Sequence, residues 1–212
     1  MNCTLLAEVF TGVKVTDLAV AFASLIAAWV AVSGLSAWRH QLKGKTEYDL
    51  AKRILLSLFK YRDAIHGVRN PMMWGHEMPS PPEEKRQYMG IQEIRYYGTE
   101  KAYQKRWDRV TEHKAKLYPE LLEGEVIWGT ELNERFKKIY KLQAELQNAV
   151  RRHLELSDPS TPQRKQDSVA KYHDKHRDIL YDESFDESDE FSKDIESAIQ
   201  NIEEFLKPKL EL

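Results

Sequence analysis

Apolar residues are arranged along this chain in three different ways. From Leu18 to Trp38 they are nearly continuous: 21 residues carry no formal charge, and Arg39, Lys43 and Lys45 follow within seven positions. In the next stretch they recur as Leu50, Ile54, Leu58 and Ile65, widened by Leu55 and Phe59, which is the broad stripe of an amphipathic helix. Further on, Leu132, Phe136, Ile139, Gln143, Leu146, Val150 and His153 fall at alternating spacings of four and three, a heptad seam.

Breaks between these patterns divide the rest. Gly67 and Pro71 end the amphipathic helix, and "PMMWGHEMPSPP", with four prolines, predicts a loop whose Met72, Met73, Trp74 and Met78 are expected to dock onto a bundle, with an adaptable methionine-type binding surface as the alternative. Residues 83–118 are highly charged with interleaved aromatics. Tyr103 and Trp107, one helical turn apart, read as core. Pro119 suits the first turn of a new helix. Pro159 and Pro162 mark a loop, a further helix is expected over Gln166 to Tyr181, and a last one from about Asp189 to Lys207 repeats the spacing as Phe191, Ile195, Ala198, Ile202 and Phe205. The expected fold is all-α: one N-terminal transmembrane helix followed by a cytoplasmic bundle of four or five helices. The expected divisions are a short extracytoplasmic segment 1–17, a span 18–38, a basic amphipathic helix 39–70, a Pro/Met-rich loop 71–82 and a bundle 83–212.

The continuous segment decides location. At ~1.5 Å per residue its 21 residues make about 31 Å of helix, which matches a hydrocarbon core of ~30 Å. A signal peptide has a basic start and a shorter apolar region, whereas Glu8, Lys14 and Asp17 precede this run. Basic residues are concentrated after it, so the positive-inside rule places the amino end outside and the large carboxyl part in the cytoplasm. Leu18 and Trp38 bound the anchor, Trp38 with an indole suited to the headgroup region, and Arg39, Lys43 and Lys45 fix its orientation. Ala19, Ala23, Ala27 and Ala31 recur every four residues with Gly34 near the same face, the small-residue spacing that lets two helices approach closely in lipid. The stretch 39–69 holds eight Lys or Arg against three acids, so its helix suits either an anionic leaflet or a solvated bundle.

Composition narrows the chemistry. With 212 residues there is room for one domain and an appendage. A mean hydropathy of -0.62 leaves too little apolar surface to bury an all-apolar helix, which favours lipid for that segment. A net charge of -2 gives no basis for nucleic-acid binding. The single cysteine, Cys3, excludes a disulfide framework and a cysteine-ligated zinc cluster. His173 and His176 in "YHDKHRD" are the one weak metal candidate, at i, i+3 on a helix face, but no paired Glu-x-x-His or His-Glu-x-x-His accompanies them. "DESFDESDE", residues 182–190, lacks the glycine and terminal glutamate of a calcium loop and reads as an acidic connector, with Asp189 and Glu190 at the positive end of the last helix. No phosphate-binding glycine loop or nucleophile elbow occurs, so no catalytic or cofactor-binding residue is assigned and no cofactor is expected.

The stretch "WRHQLKGKTEYDLAKRILLSLFKYRDAIHGVRNP", directly after a single span, resembles bacterial single-pass membrane proteins of uncharacterised function with a helical cytoplasmic part. The resemblance covers residues 18–71 and implies a bacterial inner membrane but no activity. The expected function is therefore a membrane-anchored scaffold or sensor that contacts the bilayer and binds a protein partner, or itself, without catalysis. The alternative is a membrane-acting effector of the defence or toxin type that oligomerises through the alanine row.

Overall fold

The computed structural model describes residues 15–173, 177–182 and 189–211, and among these the chain is helical with no strand. Six helices follow one another: α1 (Val15–Arg69), the single turn α2 (Glu83–Arg86), α3 (Ile91–Trp128), α4 (Glu131–Ser157), α5 (Gln163–His173) and α6 (Glu190–Leu206). A 3₁₀ turn, Lys207–Leu210, closes the described chain. Two units divide it, Met1–Thr46 and Glu47–Leu212. The continuous apolar run and the following amphipathic stripe both lie on α1, which has no break between them.

In the second unit the carboxyl part of α1 packs with α3, α4 and α6. Leu50, Ile54, Leu58, Tyr61, Ile65 and Val68 are fully buried, so the apolar stripe of this part of α1 lies inside the bundle. Contacts fix the directions of the four helices. Trp128 donates to Glu47 at 3.2 Å and Arg53 to Glu123 at 2.6 Å, whereas Arg106 reaches the carbonyl of Asn70, so α3 runs antiparallel to α1. Gly129 turns the chain into α4, and Lys138 to Ser197 and Arg135 to Asn201 set α6 antiparallel to α4. The result is an up-down-up-down bundle.

The heptad seam of α4 is buried as expected at Leu132, Phe136, Ile139, Leu146 and Val150. Its two polar positions have partners in the bundle: Gln143 accepts from Tyr61 and from Lys114, and His153 lies edge-on to Tyr103 at 5.9 Å. Tyr103 is buried and Trp107 packs against the core. α6 also matches its expected spacing, and Asp189 caps it by accepting from the Ser192 backbone at 3.1 Å.

Two expected boundaries are corrected. Pro119 does not begin a helix; it lies inside α3, exposed, so the carbonyl it leaves without a donor faces water while Leu117, Leu121 and Gly124 keep the buried register across it. The real break is Gly129, the one described residue with positive φ, at 76°. The helix expected over Gln166 to Tyr181 instead occupies Gln163–His173, and residues 177–182 are irregular. There the carbonyls of Ile179 and Tyr181 accept from Arg69, bonds that a continuing helix would have used internally.

Candidate functional site

One helix among the described residues is long and apolar enough to cross a membrane. Along it Ala19, Ala23, Ala27 and Ala31 are exposed, and a Cβ added at Gly34 would meet nothing within 4 Å. Phe22, Leu25, Trp29, Val32 and Trp38 are all more than half exposed, as are most of their neighbours. Water exposure of so long an uncharged run is costly, at about 25 cal/mol per Å² of apolar surface. Arg39, Lys43 and Lys45 follow on the same helix, exposed; Leu18 is helical, and its side chain is outside the described set.

A second feature lies where α1 ends. Arg106 is 4% exposed in the middle of α3, on the face that also buries Tyr103, Val110 and Leu117. Its Nε and Nη2 donate to both carboxylate oxygens of Glu77, at 3.2 and 2.9 Å. Nη1 donates to the carbonyl of Asn70 and Nη2 to that of Met72, both at 2.6 Å, just beyond the last turn of α1. Glu77 in turn accepts from the Trp74 backbone at 3.2 Å. The hydrogen bonds from Arg106 hold the Glu77 carboxyl below the usual carboxylate range, against burial, which acts the other way. Backbone, carboxylate and guanidinium thus hold the proline-rich segment in one ordered conformation.

That conformation divides the segment's apolar side chains between the two readings of the sequence, docking and exposure. Met73 packs against the core, and Met78 lies 3.4 Å from the position a Cβ on Gly98 would take. Met72 and Trp74, by contrast, are 57% and 56% exposed. A fixed backbone that presents a methionine and a tryptophan to solvent is a preorganised apolar contact.

Arg69, at the end of α1, is 1% exposed. It donates to the carbonyls of Ile179 and Tyr181, to the Ser192 hydroxyl at 2.7 Å and to Asp189 at 3.1 Å, and its guanidinium lies 4.8 Å from the Phe191 ring centre. Burial raises the Asp189 pKa, but the Ser192 donors and Arg69 outweigh it and hold the carboxyl low. Nearby, Arg177 spans both carboxylate oxygens of Glu145 and reaches Asp194 at 2.8 Å. A polar cavity of about 270 Å³ separates the two arginines, lined also by Asp178, Asp189 and Phe191. Both guanidiniums are already engaged with carboxylates, so this arrangement fastens α6 and residues 177–182 to the end of α1.

The side chain of His173, and His176 altogether, lie outside the described residues, as does Cys3. Among the described residues no group of three His, Cys, Asp or Glu is placed to hold a metal ion. Arg69 and Arg106 were not singled out from the sequence. The signal for Arg106 was present: it falls at the spacing of Tyr103, Val110 and Leu117, and a cation on an apolar face implies a buried partner. No protein-family model, curated protein or solved structure matches this chain.

Proposed function

We propose that this chain is a bacterial inner-membrane scaffold or sensor, anchored by residues 18–38 with its amino end outside, whose cytoplasmic bundle binds a protein partner at the Met72–Trp74 segment. The observation that carries the reading is the ordered presentation of Met72 and Trp74 by the buried Arg106–Glu77 pair. The exposed apolar half of α1 supports the anchor, and the basic residues on its carboxyl side support the orientation. Tryptophan at a preorganised position is the side chain type that most often dominates binding energy at interfaces.

The test uses the full chain in native membranes. Alkaline carbonate should leave it in the pellet, and mild-detergent extraction should recover a partner at defined stoichiometry. The double variant Met72→Ala, Trp74→Ala should lose that partner by at least tenfold while melting at an unchanged temperature. Release by carbonate would remove the anchor; undiminished recovery by the double variant would remove the binding site.

A further inference from the structure

We infer that the partner docking on Met72 and Trp74 is an acidic amphipathic protein segment, because a row of cations without ion pairs on α3 borders that contact; the inference rests on the binding reading proposed above and deepens it. Lys101, Lys105 and Arg109 recur every four residues along α3, Lys101 half-buried and the other two exposed. Helical geometry puts them on one side of the helix, about 6 Å apart per step. Glu123, which meets Arg53 of α1, lies about five turns after Lys105, so the row follows the α1 side of α3.

Their surroundings leave this charge largely uncompensated. Lys101 lies 5.7 Å from the Tyr97 ring centre and donates to Gln104, and Lys105 approaches the carbonyl of His76 at 3.5 Å; these partners are neutral. Among the described residues none of the three cations has an ion pair, whereas the neighbouring carboxylates are engaged: Glu112 with Lys116, Glu77 with Arg106 and Asp63 with Arg62. Glu100 lines a separate cavity with Tyr96 and Asp158. Asp108, three residues after Lys105, offsets one charge at most.

The row reaches the proline-rich segment. Its middle touches the loop at His76, and the adjoining Arg106 holds the carbonyls of Asn70 and Met72. In the antiparallel register set by Arg53 with Glu123 and Arg106 with Asn70, Arg109 comes level with Gly67. A partner lying on Met72 and Trp74 therefore meets positive charge along one border, and a carboxylate brought there gains attraction without breaking an existing ion pair. The number of cations selects the class of partner. Anionic-lipid sites gather about 4–8 basic residues and phosphate-backbone sites make about 6–10 contacts, more than this row offers. An amphipathic helix with carboxylates at i, i+4 and i+8 matches the step of the row, and its apolar face meets the methionine and tryptophan.

The test uses the full chain in a neutral detergent and two dye-labelled amphipathic helical peptides. They are identical except that one carries glutamate and the other glutamine at i, i+4 and i+8 beside a stripe of leucine and phenylalanine. Fluorescence anisotropy should show the glutamate peptide binding at least tenfold more tightly at low salt, an advantage that shrinks as salt is added. Lys105→Glu with Arg109→Glu, both outside the core, should abolish that advantage while leaving the melting temperature and the glutamine peptide's binding unchanged. Met72→Ala with Trp74→Ala should weaken both peptides. Equal affinity for the two peptides, no binding of the glutamate peptide, or an advantage that survives charge reversal overturns the inference. So does more potent displacement of the glutamate peptide, at equal charge, by phosphatidylglycerol added to the micelles or by single-stranded DNA. The Met72→Ala, Trp74→Ala variant separates the two failures: equal peptides that both weaken there sink the acidic partner alone, whereas binding unchanged in that variant sinks the Met72–Trp74 site as well.

Discussion

Two buried arginines organise the end of the bundle, and their consequences differ from those of surface ion pairs. Arg106 replaces water with one carboxylate and two close carbonyls, so removing it leaves Glu77 buried and unpaired. Arg106→Met should destabilise the bundle by about 3–5 kcal/mol, read from urea unfolding, whereas breaking the exposed Lys116–Glu112 pair should leave the unfolding midpoint essentially unchanged. Acid should weaken the same site. Glu77 has a folded-state pKa below its unfolded one, so its contribution is present above the unfolded value, near 4.5, and is lost as pH falls through the folded value. Melting temperature should fall with acidification over that window, and Glu77→Gln should flatten the fall. A slope identical in the variant would refute this assignment.

Among the helices, sequence and structure disagree where proline and glycine compete. Proline is the stronger local signal, yet Pro119 is tolerated because it lies on the exposed side of α3, where the orphaned carbonyl is hydrated. Gly129 governs the turn because the chain reverses there through φ of 76°. Gly129→Ala should therefore cost about 1–3 kcal/mol, measured by denaturation of the full chain in detergent, since φ of 76° with ψ of -163° is a conformation that only glycine adopts readily. A neutral substitution would mean that the α3–α4 turn does not depend on the left-handed conformation. The irregular path of residues 177–182 has a similar origin in tertiary contacts: Arg69 donates to the carbonyls of Ile179 and Tyr181, which a helix would have paired internally.

As a whole, the chain combines two kinds of surface. Its first unit exposes a long uncharged helix, and its second buries its own apolar stripes in a self-contained core of α1, α3, α4 and α6. A fragment comprising residues 47–212 should be soluble without detergent, monomeric at micromolar concentration and cooperatively folded, as judged by light scattering and circular dichroism. Aggregation of that fragment would show that the first unit is needed to complete the core.

Helical character, the apolar run and the seams of α4 and α6 were legible in the sequence because each depends on period and length along one segment. The α4 seam needed no knowledge of its neighbours: Leu132, Phe136 and Ile139 are buried because their spacing makes one face. The joining of Arg106 to Glu77, 29 positions apart, and of Arg69 to Asp189, 120 apart, was decided by tertiary structure alone. So was the exposure of Met72 and Trp74 beside the docked Met73 and Met78. Periodicity records which face a side chain occupies on its own helix. Which distant group arrives to satisfy it depends on how helices are brought together, and no local pattern encodes that meeting.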